Sequence, residues 1–135
     1  MKILVVDGQG GGLGKQLVTA IRAACPLAEI TAIGTNSMAT NVMLKAGADN
    51  AATGENAIVV ACRDADIIVG PIGMVIADAL LGEITPRMAV SIGQSSAKRI
   101  MIPMNHCNNL IAGISEQPVG RLVQSAVQQL KDAMN

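Results

Sequence analysis

Near its start the chain sets an acid, a glycine cluster and a lysine side by side: Asp7-Gly8-Gln9-Gly10-Gly11-Gly12-Leu13-Gly14-Lys15. That combination suits the holding of a phosphate. Glycines let the backbone turn sharply and let another molecule approach it closely. A helix starting beyond them presents unpaired N–H groups and a positive dipole end to an anion. Three further clusters could join such a site. Thr35, Asn36 and Ser37 follow Gly34 and offer hydroxyl and amide groups. Gly70, Pro71, Ile72 and Gly73 combine glycines with a fixed turn residue. Asn105, His106, Cys107 and Asn108 hold the single histidine.

The elements that must position these residues can be read from periodicity. Residues 2–6 are an apolar run of strand length, and Leu13, Leu17 and Ile21 then recur every fourth residue as a helix stripe. Pro26 biases Cys25 out of helical geometry and stops that helix. Residues 29–33 alternate as a second strand. A second helix follows, with Met38, Val42, Met43 and Ala46 on one face and Gly47 as its stop. Residues 48–53 predict a short third strand, 55–62 a helix whose β-branched run leaves a strand open, and 67–69 a buried fourth strand. A short apolar helix is predicted over 74–81, and Thr85-Pro86 starts another that runs to about Ser96. Strands are predicted at 99–104 and 110–114, with Pro103 marking an end or an edge. The last helix carries Val119, Leu122, Val123, Ala126, Val127 and Leu130 in helical spacing.

Strands alternating with helices predict one α/β domain over residues 1–135. Its architecture is a three-layer, Rossmann-like fold: a mostly parallel sheet of about five to six strands with helices on both faces. Ligands of such sheets lie outside the C-terminal strand ends. The four clusters fall at such ends, so the expected cofactor-binding set is Asp7, Gly8, Gln9, Gly10, Gly11, Gly12, Leu13, Gly14, Thr35, Asn36, Ser37, Gly70, Pro71, Ile72, Gly73 and Asn105. An acid that would hold the ribose diol of NAD is missing from the second strand end, and Thr35 to Ser37 could accept a 2′-phosphate instead, which leans toward NADP. His106 and Cys107 are neighbours in extended chain and point apart, so they make a poor dyad.

The glycine pattern separates several templates. A Walker A loop would need glycine at Gln9 and a hydroxyl at Gln16, which disfavours a kinase or ATPase. The GxGxxG spacing also fails, since its third glycine falls on Leu13 or Lys15. GxxxGxG fits on Gly8, Gly12 and Gly14, and GxxGxxG on Gly8, Gly11 and Gly14. The stretch DGQGGGLGKQL resembles the nucleotide loop of the short-chain dehydrogenase superfamily, which implies an NAD(P) cradle. Asp7 stands where that family has threonine, so it must cap glycine N–H groups, hold a cation or point away. Without any tyrosine the superfamily's Tyr-x-x-x-Lys chemistry does not carry over. Over nearly its whole length the chain also resembles a small uncharacterised bacterial family, through DGQGGGLGK, GTNSMAT, GPIG, IGQSSAK and IPMN. That resemblance implies a fold and no activity.

Composition narrows the partners. The ten basic residues are balanced by ten acidic ones, and there is no Phe, Tyr or Trp. Base stacking and a basic groove are therefore both missing, and nucleic acid is not an expected partner. Half the residues are hydrophobic and 15% are charged, more apolar surface than a small core hides, so a homodimer or higher homo-oligomer is expected. Three cysteines in no metal or disulfide spacing, no leader and no uninterrupted membrane-length stretch point to a soluble, cytoplasmic protein without a membrane partner. No paired carboxylates, metal set or triad spacing identifies a reaction. The expected function is nucleotide-cofactor binding, NAD(P) in type, with a non-catalytic ligand sensor or a structural homo-oligomer as the alternative.

Overall fold

A computed structural model of the chain describes residues 1–104 and 108–135. Among these residues five strands and five α-helices follow one another: β1 (Lys2–Asp7), α1 (Gly12–Ala24), β2 (Glu29–Gly34), α2 (Ser37–Lys45), β3 (Asn50–Thr53), α3 (Glu55–Ala61), β4 (Ile67–Pro71), a 3₁₀ turn (Ile72–Val75), α4 (Pro86–Gln94), β5 (Lys98–Ile102) and α5 (Val119–Met134). The sheet has the order β3-β2-β1-β4-β5, and every pairing is parallel. The chain order therefore reverses between β1 and β4, where an open α/β sheet leaves its crevice.

Side chains alternate across a strand, and β1 shows what that does here. Ile3 and Val5 face one layer, with Leu13, Leu17 and Ile21 of α1 and Val123, Ala126 and Leu130 of α5. Leu4 and Val6 face the other, with Ile58 of α3 and Met88 and Ile92 of α4. Both faces are covered, as a parallel sheet requires. The ends of the helices follow local chemistry. Asn36 caps α2 by accepting the Ala39 N–H at 2.9 Å, and Thr85 caps α4 by accepting the Met88 N–H at 3.2 Å with Pro86 behind it. Among the described residues no helix is long and apolar enough to cross a membrane.

Four expectations give way. Residues 110–114 form no strand. Gly113 has φ +82°, the Ile114 N–H turns back to Ile111, and Leu110 is exposed. The predicted helix at 74–81 is a single 3₁₀ turn, after which Asp78, Leu80, Leu81 and Gly82 all take positive φ. Tertiary contact wins there over local pattern: the turn buries Leu80 and Ile84 against the α3–α4 face. β5 stops at Ile102, where Pro103 removes a ladder donor. On α2, Ala39 and Met43 are buried and Met38 is exposed, so the buried stripe starts one residue later than the spacing suggested.

Candidate functional site

The glycine loop runs from the C-terminal end of β1 to the first turn of α1, at the edge of the β1/β4 crevice. Its N–H groups divide into two sets. The first is held by the chain's own oxygen atoms. Asp7 accepts from Gly8 at 2.8 Å through Oδ1 and from Gly14 at 2.7 Å through Oδ2. Glu83 accepts the Gln9 N–H at 2.9 Å, and Gly8's carbonyl accepts the Gly11 N–H at 3.0 Å. The second set, the N–H groups of Gly10, Gly12 and Leu13, has no hydrogen-bond partner among the described residues. Gly12 and Leu13 open α1, so these are helix N-terminal donors with the dipole behind them.

Asp7 thus takes the capping role among the three that its position allowed. It is buried, and burial pushes its carboxyl above the usual range, against the downward pull of the Gly14 and Gly8 N–H groups; the Glu83 charge adds to the rise. The glycines do different jobs. A Cβ at Gly14 would lie 2.5 Å from Met43 Sδ and 2.9 Å from Asp7 Cβ, so Gly14 lets α1 sit close to β1 and α2. Gly11 has φ +75°, and a Cβ there would lie 2.7 Å from Ala39 Cα. A Cβ on Gly10 or Gly12 would meet nothing within 4 Å. Those two face open space, beside the unpaired N–H groups.

That space is a cavity of about 250 Å³ walled by the loop from Asp7 to Leu13, with Gln16, Met104 and Val119. A second cavity of about 600 Å³ adjoins it, sharing Met104 and Val119 and lined further by Pro103, Leu110, Ile111, Ile114, Glu116 and Leu122. A third, of about 310 Å³, continues along β5 and α5 and includes Ile72 and Ile100. The surface running away from the glycine loop is more apolar than polar, with Ser115, Glu116, Gln117 and Gln129 supplying its polar part.

The second strand end joins the loop through an acid that sequence reading overlooked. Glu83 Oε1 accepts from Thr35 Oγ1 at 2.5 Å, from Asn36 Nδ2 at 2.9 Å and from the Gln9 N–H at 2.9 Å. Burial opposes its ionisation, and those three hydrogen bonds outweigh it, so its carboxyl lies below the usual range. Asn36 also donates to the Gln9 carbonyl at 2.9 Å. The donors at Thr35 and Asn36, expected to take a 2′-phosphate, are thus already on a carboxylate. Ser37, the first residue of α2, is exposed.

The remaining positions separate. Gly70 lies inside β4, where a Cβ would come within 2.5 Å of the Val6 carbonyl; its smallness serves strand approach. Pro71 ends β4, and Ile72 and Gly73 open the 3₁₀ turn. None of the four lines the cavity on the glycine loop. Lys15 is exposed and does not line it either, while Gln16, one residue on, does. Asn105, with His106 and Cys107, lies outside the described residues. Sequence reading also missed Met104 and Val119. Nothing local marks them, because α5 and the end of β5 reach the loop only through the fold.

Comparison with known proteins adds a fold and a family. The crystal structure of a dodecameric FMN-dependent UbiX-like decarboxylase from Escherichia coli O157:H7 is similar, with a TM-score of 0.53 over 99% of this chain and 94% of that one, at 17% identity. That likeness is one of fold. A search of curated proteins finds no match. The family described as Domain of unknown function (DUF3842) matches residues 2–135, and the chain belongs to it.

Proposed function

We propose that this protein binds a phosphorylated small molecule, its phosphate on the N–H groups of Gly10, Gly12 and Leu13 and its apolar body along the more apolar cavity beside them. The observation that carries the reading is the pairing of three donors at a helix start, without a partner among the described residues, with open space over Gly10 and Gly12. The adjoining cavities supply about 250 and 600 Å³, a size that suits a cofactor. Flavin mononucleotide fits that description in part, with one phosphate and a flat ring whose dimethylbenzene end is apolar, and the similar structure is that of an FMN-dependent enzyme. A bound flavin would supply redox chemistry; what this chain supplies is donors for the phosphate and a wall for the ring. NAD(P), expected from the loop's resemblance, is the weaker candidate, because Glu83 already engages Thr35 and Asn36. The greasy exposed residues, Leu27, Leu81 and Leu110 among them, support a homo-oligomer.

Thermal shift and isothermal titration with FMN, NAD, NADP, ADP and inorganic phosphate test the reading. A ligand at about 100 times its dissociation constant adds roughly 2.7 kcal/mol to stability. FMN and phosphate are expected to bind, and Gly12→Val to lose both, since its side chain enters the cavity without striking the fold. No binding by any of them, or equal binding by Gly12→Val, refutes it. A second reading, a structural turn that holds no ligand, is favoured by Asp7 and Glu83, which already occupy the Gly8, Gly14 and Gln9 donors. The same titration decides between the two.

A further inference from the structure

We propose that Cys25, Met134 and Met1 form a binding site for a soft monovalent metal ion, Cu(I), at the end of the sheet opposite the glycine loop. The three residues are far apart in sequence, so no local spacing announces the set, and the fold brings them together. α1 ends at Ala24 with Cys25 as its cap, α5 ends at Met134, and Met1 leads into β1. All three line one cavity of about 380 Å³, walled further by Pro26, Leu27 and Ala28. Met1 is half exposed, while Cys25 is buried, so the cavity leads inward from solvent to the thiol.

Two of the sulfur atoms already face each other as a ligand pair would. The Cys25 thiol donates to Met134 Sδ at 3.8 Å, and Cys25 is in no disulfide. An ion about 2.3 Å from each of two sulfur atoms, at a trigonal angle of about 120°, sets them about 4 Å apart. The ion therefore takes the place of the thiol proton with little movement of either side chain, and Met1 supplies the third donor. The proton leaves to solvent, an S–Cu bond forms, and no electron is transferred. Thiolate and thioether ligands select Cu(I) over harder cations. Charge favours the same ion. Among the described residues the lining includes Lys131 and no carboxylate or imidazole side chain. A monovalent ion on a thiolate is neutral beside that lysine, whereas a divalent one keeps a positive charge. The C-terminal ends of α1 and α5 add their negative poles.

Competition titration on the full chain tests the site, with Cu(I) kept reduced by ascorbate and bicinchoninate as the competing chelator. The chain is expected to take one equivalent of Cu(I) from the chelator and to hold Zn(II) far more weakly. Cys25→Ser is expected to lose that equivalent. Met134→Leu keeps the thiol and the apolar volume, and is expected to weaken binding by roughly tenfold or more. Met1→Leu, released from a cleaved fusion, is expected to weaken it several-fold. Thermal melts of the metal-free variants check that each folds, and X-ray absorption at the copper edge of the wild type is expected to show sulfur neighbours alone. Unchanged affinity in Met134→Leu or Met1→Leu overturns the proposal, since a lone thiol or a pair would then explain the binding. Retention of the equivalent in Cys25→Ser, which would place the ion on another cysteine, overturns it too, as do nitrogen or oxygen neighbours or equal affinity for Zn(II).

Discussion

Asp7→Asn probes both the fold and the site, because one side chain serves the two. In the wild type Oδ1 and Oδ2 each take a buried N–H, at 2.8 and 2.7 Å. Asparagine keeps one acceptor oxygen and turns an NH₂ toward the other N–H. One donor then loses its partner, at a cost of roughly 1–3 kcal/mol. Relief from burying a charge offsets part of that, since burial is the main cause of the raised Asp7 pKa. The expected net loss at pH 7 is about 1–2 kcal/mol, or roughly 4–8 °C in Tm for a domain of this size. The pH dependence has a definite sign. A carboxyl whose folded pKa is raised adds most stability below its unfolded value of 3.8, and loses that contribution as pH rises through the folded value. The wild-type advantage over Asp7→Asn is therefore larger at pH 4 than at pH 7. Anion binding moves the other way. A carboxylate on the order of 6 Å from a phosphate costs about 3 kcal/mol at an effective dielectric of ~20, so the variant is expected to hold inorganic phosphate at least tenfold more tightly. Urea melts across that pH range and phosphate titration measure both effects. Unchanged phosphate affinity, or a stability gap that widens toward neutral pH, refutes the reasoning.

Other perturbations follow from the same geometry. Gly14→Ala drives a methyl to 2.5 Å from Met43 Sδ and is expected to cost about 1–3 kcal/mol in chemical denaturation, without a direct effect on the cavity. Glu83→Ala removes a carboxyl whose pKa is lowered in the fold, a contribution present above its ordinary 4.5 and lost as pH falls through the folded value; the variant's acid melting limb is expected to flatten relative to wild type. Cys62, buried and pushed up to about 11, is expected to resist iodoacetamide at pH 8 in the folded protein and to react after denaturation, as mass spectrometry would show. Sedimentation is expected to give at least twice the 13.8 kDa chain mass, and Leu27→Lys and Leu110→Lys, at fully or nearly fully exposed leucines, locate the contact if either lowers that mass.

The fold was legible because its signals are local. The run to Val6, the stripe of Leu13, Leu17 and Ile21, and the caps at Asn36 and Thr85 each declare an element within a few residues. The segments that misled are those governed by distant partners. Residues 74–81 look helical until Leu80 and Ile84 find the α3–α4 face, and residues 110–114 look extended until Gly113 turns. The site divides the same way. The glycine cluster announces itself, and Asp7's conflict with an anion was visible from its type alone. Glu83 was not, since only the fold carries it across to Gln9, Thr35 and Asn36. The same holds for Gln16, Met104 and Val119, whose place on the cavity depends on how α1, β5 and α5 come together.

The aliphatic wall beside the glycine loop has a spectroscopic corollary. A flavin seated against Met104, Val119 and Leu122 would find no indole or phenol within the whole chain to quench its emission by electron transfer. The polypeptide is also nearly dark in the near ultraviolet. Any yellow colour or green glow that travels with the purified protein would therefore belong to its guest.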